Sequence, residues 1–479
     1  MYPWPVERIE AIFFPFPSIL TLSLMARVPV GARQRSWPMG FGKQFVIAID
    51  ANRTVKDELA GAIGKQRGRR RISVTDLLNT RQAFFRRTRP EIQPPPERIQ
   101  AMLSGTGFHE LFGKAVSTVE FREQFVEMDG IVGKIDIYED VPTELKTTTF
   151  IPDDIVADRP GYIDQLGMYC TMTASATGRL IIYKRPGRVQ PATLRAYDVV
   201  YSEPRAIKGE MHRRRDLLEE ALATGSPSGL PACEWFESGC DYEKVCDCGK
   251  AQAWGPVVAR AGVALTENHS LVESVGSRLQ GGSAPPRGFR LNDLVFPRKA
   301  ALERKPADVE EESPETDIER RLADLDRQGF YGALTEAIRF GVPGAFSRTV
   351  VELGTVTGWV STYRGVPTIV RATKLADLVD ARRVPDVFGH YVDRLAIECA
   401  LTGQERGRIV VYYQSMPDEK FMVYDVGFTR LKEIVVEAER RLALLEAGAP
   451  TRELPPCPAW MSRFCSFAPA CGCARAEQQ

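Results

Sequence analysis

Along Gly133 to Lys146, GKIDIYEDVPTELK, apolar and polar residues alternate with the period of a strand, pause at Glu139-Asp140, and alternate again. The pattern predicts a hairpin, with Asp136 on its first strand and Glu144 and Lys146 two apart, on one face of its second. Upstream, ISVTDLLNTRQAFFRR predicts a helix with Ser73 or Thr75 as N-cap and Leu77, Leu78, Phe84 and Phe85 turned inward. Pro94 to Pro96 end that unit, and Glu97 to Phe112 predicts a helix bearing His109. Downstream, Pro160 to Thr173 reads as a helix with Gln165 and Tyr169 on one face. Gly178 to Lys184 reads as a buried strand, Ala192 to Tyr201 as another, and Ser202 to Thr224 as a long charged helix.

The same pattern returns later in the chain. HYVDRLAIECALTGQERGRIVVYY (His390 to Tyr413) repeats GYIDQLGMYCTMTASATGRLIIYK without a gap, and TGWVSTYRGVPTIVRATK (Thr357 to Lys374) repeats VGKIDIYEDVPTELKTTT. GFYGAL around Tyr331 echoes GFHELF, and NDLVFPRKAAL echoes TDLLNTRQAFF. A repeat of this length implies a tandem duplication. The expected domains are an ill-defined extension over 1–64, a first copy over 65–250, a Gly/Ser/Pro-rich linker over 251–287 and a second copy over 288–479. Within the linker, Val263 to Leu279 has some helical character. The second copy keeps the apolar positions but not the polar ones. Tyr331, Ser361, Ile369, Arg371, Arg394 and Glu398 stand where the first has His109, Asp136, Glu144, Lys146, Gln165 and Tyr169.

Composition narrows the class. The chain has 479 residues, 63 basic and 62 acidic, so nucleic-acid binding would have to arise from local patches. Lys65 to Arg98 is one such patch, with ten Lys/Arg against three Asp/Glu. No run of apolar residues is long enough to cross a membrane, and acidic Glu7 and Glu10 stand where a secretory signal has basic residues. A cytoplasmic protein without membrane partners is expected. GAIGKQ at Gly61 to Gln66 lacks the spacing and the Ser/Thr of a phosphate-binding loop.

Two carboxylates and an ammonium on one side of a hairpin make a site for a hard divalent cation. Asp136 and Glu144 would bind it, while Lys146 orients water or offsets developing charge. With His109 ahead, after the Gly-rich start of GTGFHELF, and Gln-x3-Tyr behind, this order resembles the RecB-like branch of the PD-(D/E)XK nucleases, in particular the Cas-four CRISPR-associated exonucleases. The similarity runs from Ile72 to Gly249. The resemblance implies an α/β fold of two tandem restriction-endonuclease-like domains, each a mixed sheet flanked by helices. It implies that His109, Asp136 and Glu144 hold Mg2+ or Mn2+, that Lys146 assists catalysis, and that Gln165 and Tyr169 complete the site.

Eight cysteines form two matched sets. Cys233, Cys240, Cys246 and Cys248 close the first copy, and Cys457, Cys465, Cys471 and Cys473 the second. Their spacing suits tetrahedral Zn2+ or a [4Fe-4S] cluster and does not choose between them. The resemblance favours iron–sulfur, with one departure. Asn79 in one copy and Phe296 in the other stand where the family's early Cys-Pro-Arg-like segment has its cysteine, the second copy keeping Pro297-Arg298, so the fourth ligand would be Cys248 or Cys473. Cys170 and Cys399 read as core residues.

The expected function is metal-dependent DNA hydrolysis, exonuclease-like on single-stranded ends, in repair, recombination or spacer acquisition by resemblance. A helicase or integrase-type partner would supply unwinding or joining. Two alternatives stand beside it: a nuclease-dead DNA-binding scaffold, and a zinc-stabilised restriction-type endonuclease.

Overall fold

The computed structural model describes residues 40–64, 71–116, 124–187, 191–233, 240–251, 262–280, 288–304, 314–416, 418–458, 461, 465 and 467–473. Strand β1 (Val46–Ala51) and helix α1 (Arg53–Ile63) come first. The first copy follows with α2 (Val74–Leu78), α3 (Thr80–Thr88) and α4 (Pro96–Val116). Next come β2 (Gln124–Met128), β3 (Ile131–Ile135), β4 (Ile137–Tyr138), β5 (Pro142–Thr148), α5 (Pro160–Met172), β6 (Thr177–Lys184), β7 (Thr193–Tyr201) and α6 (Pro204–Thr224). Between the copies lie β8 (Val263–Glu267) and α7 (His269–Gln280). The second copy has α8 (Leu291–Val295), α9 (Pro297–Glu303), α10 (Pro314–Gly341), β9 (Phe346–Leu353), β10 (Val356–Tyr363), β11 (Val366–Thr373), α11 (Gly389–Thr402), β12 (Arg406–Tyr413), β13 (Phe421–Phe428) and α12 (Leu431–Glu446).

The architecture is mixed α/β. Among the described residues there are three sheets: β4-β5-β6-β7-β8, β1-β13-β12-β11-β10-β9, and a small one in which β3 pairs antiparallel with β2 and parallel with Ile72–Ser73. Register repeats between the copies: β5 and β6 pair in parallel with Glu144 beside Leu180, and β11 and β12 in parallel with Ile369 beside Ile409. Gly178 and Gly407 leave room for Cys170 and Cys399, whose sulfurs would lie 2.7 and 2.6 Å from an added Cβ. These two cysteines are core residues, as the apolar pattern implies.

Each of the two larger sheets is completed by a strand and helix that precede the other copy in the chain. β8 pairs antiparallel with β7 of the first copy, and β1 pairs antiparallel with β13 of the second. The same polar contacts tie both units down. Asn52 caps α1 by accepting from the Val55 amide, and donates to Asp425, which also holds Arg408. Asn268 caps α7 by accepting from the Leu271 amide, and donates to Asp198, which also faces Arg179. Residues 46–63 and 263–280, assigned from sequence to the extension and the linker, are thus matched parts of the two sheets.

Helices α4 and α10 cross between the sheets at equivalent glycines. A Cβ on Gly107 would lie 1.9 Å from the Gly329 carbonyl oxygen, so only glycine permits the approach. Phe108, Phe112, Leu145, Ile181, Val275 and Leu322 fill the first copy's inner face, drawing on α4, α7 and α10. Val55, Leu59, Phe330, Leu334, Val410 and Val423 fill the second copy's inner face. The outer faces carry separate cores beneath α5 and α6 and beneath α11 and α12. Residues 38–479 accordingly form one unit rather than two lobes on a tether. Among the described residues, no helix is long and apolar enough to cross a membrane.

Locally, the helix expected from Ile72 is two helices. Ser73 caps α2 through a reciprocal pair of bonds with Asp76, and the chain turns at Asn79 (φ −131°, ψ 68°) before α3.

Candidate active site

The first copy's polar residues meet where its hairpin breaks. β3 ends at Ile135 and β4 begins at Ile137, so Asp136 lies between two sheets rather than within one strand. Its Oδ2 accepts the Leu145 backbone amide at 3.0 Å and lies 3.4 Å from Nδ1 of His109 on α4. On β5, Glu144 is 2% exposed, and its Oε1 accepts from Lys146 Nζ at 2.5 Å. The same ammonium donates to Gln165 Oε1 at 2.8 Å, and Gln165 Nε2 donates to Tyr169 Oη at 3.3 Å. Tyr169 packs where Gly133 leaves space on β3, since an added Cβ would lie 2.8 Å from the ring. The six residues singled out in this copy therefore form two contact groups, His109–Asp136 and Glu144–Lys146–Gln165–Tyr169, which meet at the Leu145 backbone amide next to Glu144.

Charge is unevenly held. Burial pushes Glu144 up to about 7, reinforced by the nearby Asp136 carboxylate and opposed by Lys146. Asp136 also feels the cost of burial, but its His109 hydrogen bond and the nearby charges of His109 and Lys146 hold it below the usual carboxylate range. Glu144 Oε2 is buried without a hydrogen-bond partner. A buried carboxylate oxygen left unmatched is costly, and a cation is one remedy. One imidazole nitrogen and two carboxylates suit Mg2+ or Mn2+ in donor type. Among the described residues no group of three or more His, Cys, Asp or Glu side chains is drawn together closely enough to hold an ion as it stands.

The equivalent place in the second copy is filled. Tyr331 and Tyr391 both donate to the Ala372 carbonyl, at 3.1 and 3.4 Å. Arg394 bonds Glu398 at 2.6 Å, and Ile369 is buried where Glu144 would be. Arg371 donates to the Val370 carbonyl, and Arg364 bonds Glu58 of α1. The arginines around this second site are therefore largely committed within the protein.

Among the described residues, the arginines of the basic stretch from Lys65 to Arg98 have partners within the protein. Arg87 and Arg86 face Asp76, at 2.8 and 3.6 Å. Arg89 pairs with Glu91, Arg98 with Asp241 and Arg71 with Glu127. Residues 65–70 of this stretch lie outside the described residues.

None of the ten cysteines is in a disulfide. In the first set the Cys233 amide donates to Cys248 Sγ at 3.1 Å, and the Gln82 amide donates to Cys233 Sγ at 3.3 Å. In the second, the Cys457 amide donates to Cys473 Sγ at 3.3 Å, the same first-to-last bond. Sequence reasoning gave no role to the arginine beneath each set. Arg81 donates to the carbonyls of Pro227, Leu230 and Cys246 and to Cys246 Sγ. Arg298, its equivalent, donates to the carbonyls of Leu454 and Cys471. The available signal was the arginine shared by TRQ and PRK at matching places in the repeat.

No protein-family model and no curated protein matches this chain. A solved structure described as the crystal structure of SSO0001 aligns with 42% of this chain and 95% of its own, at 15% identity and a TM-score of 0.28. That superposition is too loose to carry an argument about fold or function.

Proposed function

We propose that the first copy is a metal-dependent deoxyribonuclease of the RecB-like PD-(D/E)XK type, resembling the Cas-four exonucleases. The second copy is its non-catalytic partner. The observation that carries this reading is the orphaned Glu144 Oε2, buried beside Lys146, with the Asp136–His109 pair held against the neighbouring Leu145 amide. An ordinary surface ion pair has no reason to bury a carboxylate oxygen unmatched.

His109, Asp136 and Glu144 would hold the cation. When bound, Mg2+ or Mn2+ supplies a water of lowered pKa and neutralises charge on the phosphate. Lys146 sits between Glu144 and Gln165, which aim its ammonium and limit its motion. It holds positive charge near the attacked phosphate and orients the entering water. Tyr169 fixes the Gln165 amide, so these two residues position Lys146. The four-cysteine ends would bind iron–sulfur or zinc and stabilise each copy's closing segment.

Labelled single- and double-stranded DNA incubated with Mg2+ or Mn2+ tests the reading. The wild type degrades DNA, and Asp136→Ala and Glu144→Ala each lose that activity by about 100-fold or more, as for removal of a group that stabilises transition-state charge. No cutting by the wild type under either metal overturns it.

A further inference from the structure

The outward face of the β9–β10 hairpin has no role in the site just described. Along β10, Val356 and Val360 are buried, while Trp359 on the opposite face is 61% exposed. Directly across from Trp359 is Val350, itself 46% exposed, and across from Ser361 is Arg348. The row is therefore Arg348 and Val350 on one strand against Ser361 and Trp359 on the other. Arg348 is exposed and has no hydrogen-bond or ion-pair partner among the described residues. That sets it apart from Arg364 and Arg394, which are paired. Glu352, across from Thr357, is the acidic residue of this row and lies at its far end from Arg348.

The first copy repeats the device with different residues. Phe125 on β2, 74% exposed, pairs across from exposed Lys134 on β3. Lys134 is equivalent to Trp359, and Phe125 to Val350. Each hairpin thus shows one exposed aromatic ring in the same cross-strand pair, with a cation in that pair or beside it. Each runs into the Asp136 position, occupied by Ser361 in the second copy. A free indole costs exposed apolar surface, and its π-face is a surface on which any base can stack. A neighbouring guanidinium suits the intervening phosphate.

We propose that this face of the second copy binds single-stranded DNA, with a base stacked on Trp359 and a phosphate at Arg348. The proposal rests on the nuclease reading and extends it by giving the degenerate copy the task of holding the strand.

The test is anisotropy of a fluorescein-labelled oligo-dT of about 20 nucleotides, a length above one single-strand site. The full chain carries Glu144→Gln so that nothing is cut, with Ca2+ as the divalent ion. Adding Trp359→Ala weakens binding about ten-fold, the order of one lost stacking contact. Trp359→Phe retains most of the affinity, and Arg348→Ala flattens the salt dependence. Unchanged affinity in Trp359→Ala overturns the proposal. So does a wild type that light scattering finds dimeric and that Trp359→Ala makes monomeric without loss of affinity, because the face then belongs to a second copy of this chain. Because cleavage plays no part in this comparison, failure of the nuclease reading registers separately, in the degradation assay.

Discussion

Gly107 and Gly329 occupy equivalent places in the two copies and lie against one another, backbone to backbone, where α4 crosses α10. The contact lies between residues matched in the repeat, so the copies are related across it by an approximate two-fold. The strand–helix units exchanged between the sheets obey the same relation. Separating the copies would require opening both outer strand pairs and uncovering the inner faces of both sheets.

The glycine crossing yields a sharp contrast within one helix. Gly329→Ala places a methyl 2.3 Å from the Gly107 carbonyl group, and destabilisation of ~2 kcal/mol or more is expected. Gly332→Ala, on the same helix with nothing within 4 Å, should be neutral or stabilise by ~0.5–1 kcal/mol through helix propensity. Urea unfolding of the two variants checks both signs.

Asn52→Ala and Asn268→Ala should lose similar stability, ~1 kcal/mol each for the cap, because each removes the same two bonds. A large loss from one and none from the other would mean that only one of the exchanged units is docked. Urea midpoints decide it.

His390 is buried among Phe296, Tyr391 and Arg371. Burial, with Arg371 adding to it, lowers its pKa from 6.5 to about 3. Between those values the unfolded chain carries a proton there that the folded protein refuses. Stability is therefore lost as pH falls through this window, by at most ~1.4 kcal/mol per pH unit from this one group. Unfolding midpoints between pH 7 and 5 should fall more steeply for the wild type than for His390→Gln. Parallel slopes would show that the imidazole is not buried neutral.

Arg81→Met leaves three backbone carbonyls near the first cysteine set without their charged donor, and a loss of ~2 kcal/mol is expected. Arg298→Met should act in the same direction through Leu454 and Cys471. Thermal unfolding of the two proteins under reducing conditions is the measurement.

Much of this was legible in the repeat. Matched apolar positions carried the strands β6 and β12, and period-two alternation carried β5 and the turn between Tyr138 and Pro142, while the parallel pairing of β5 with β6 and of β11 with β12 was not read from sequence. The exchanged units were not legible. Val46–Ala51 and Val263–Glu267 are outer strands without a full apolar stripe, and their anchor, Asn52 to Asp425, spans 373 residues. Charge counting could not foresee the partners of the described arginines of Lys65 to Arg98 for a similar reason, since Arg98 finds its acid at Asp241. The candidate site could be written from the sequence only as a residue set. Its break at Asp136 was not legible, because Ile135 and Ile137 continue the alternation while entering different cores.

The central claim is that the first copy holds one hard cation and the second holds none. Mn2+ titration followed by electron paramagnetic resonance, on protein with its cysteine sites characterised beforehand, tests it most directly. One Mn2+ bound per chain, lost in both Glu144→Ala and Asp136→Ala and kept in Arg371→Ala, is the result expected. No bound Mn2+, or a bound ion indifferent to Glu144 and Asp136, would contradict the account.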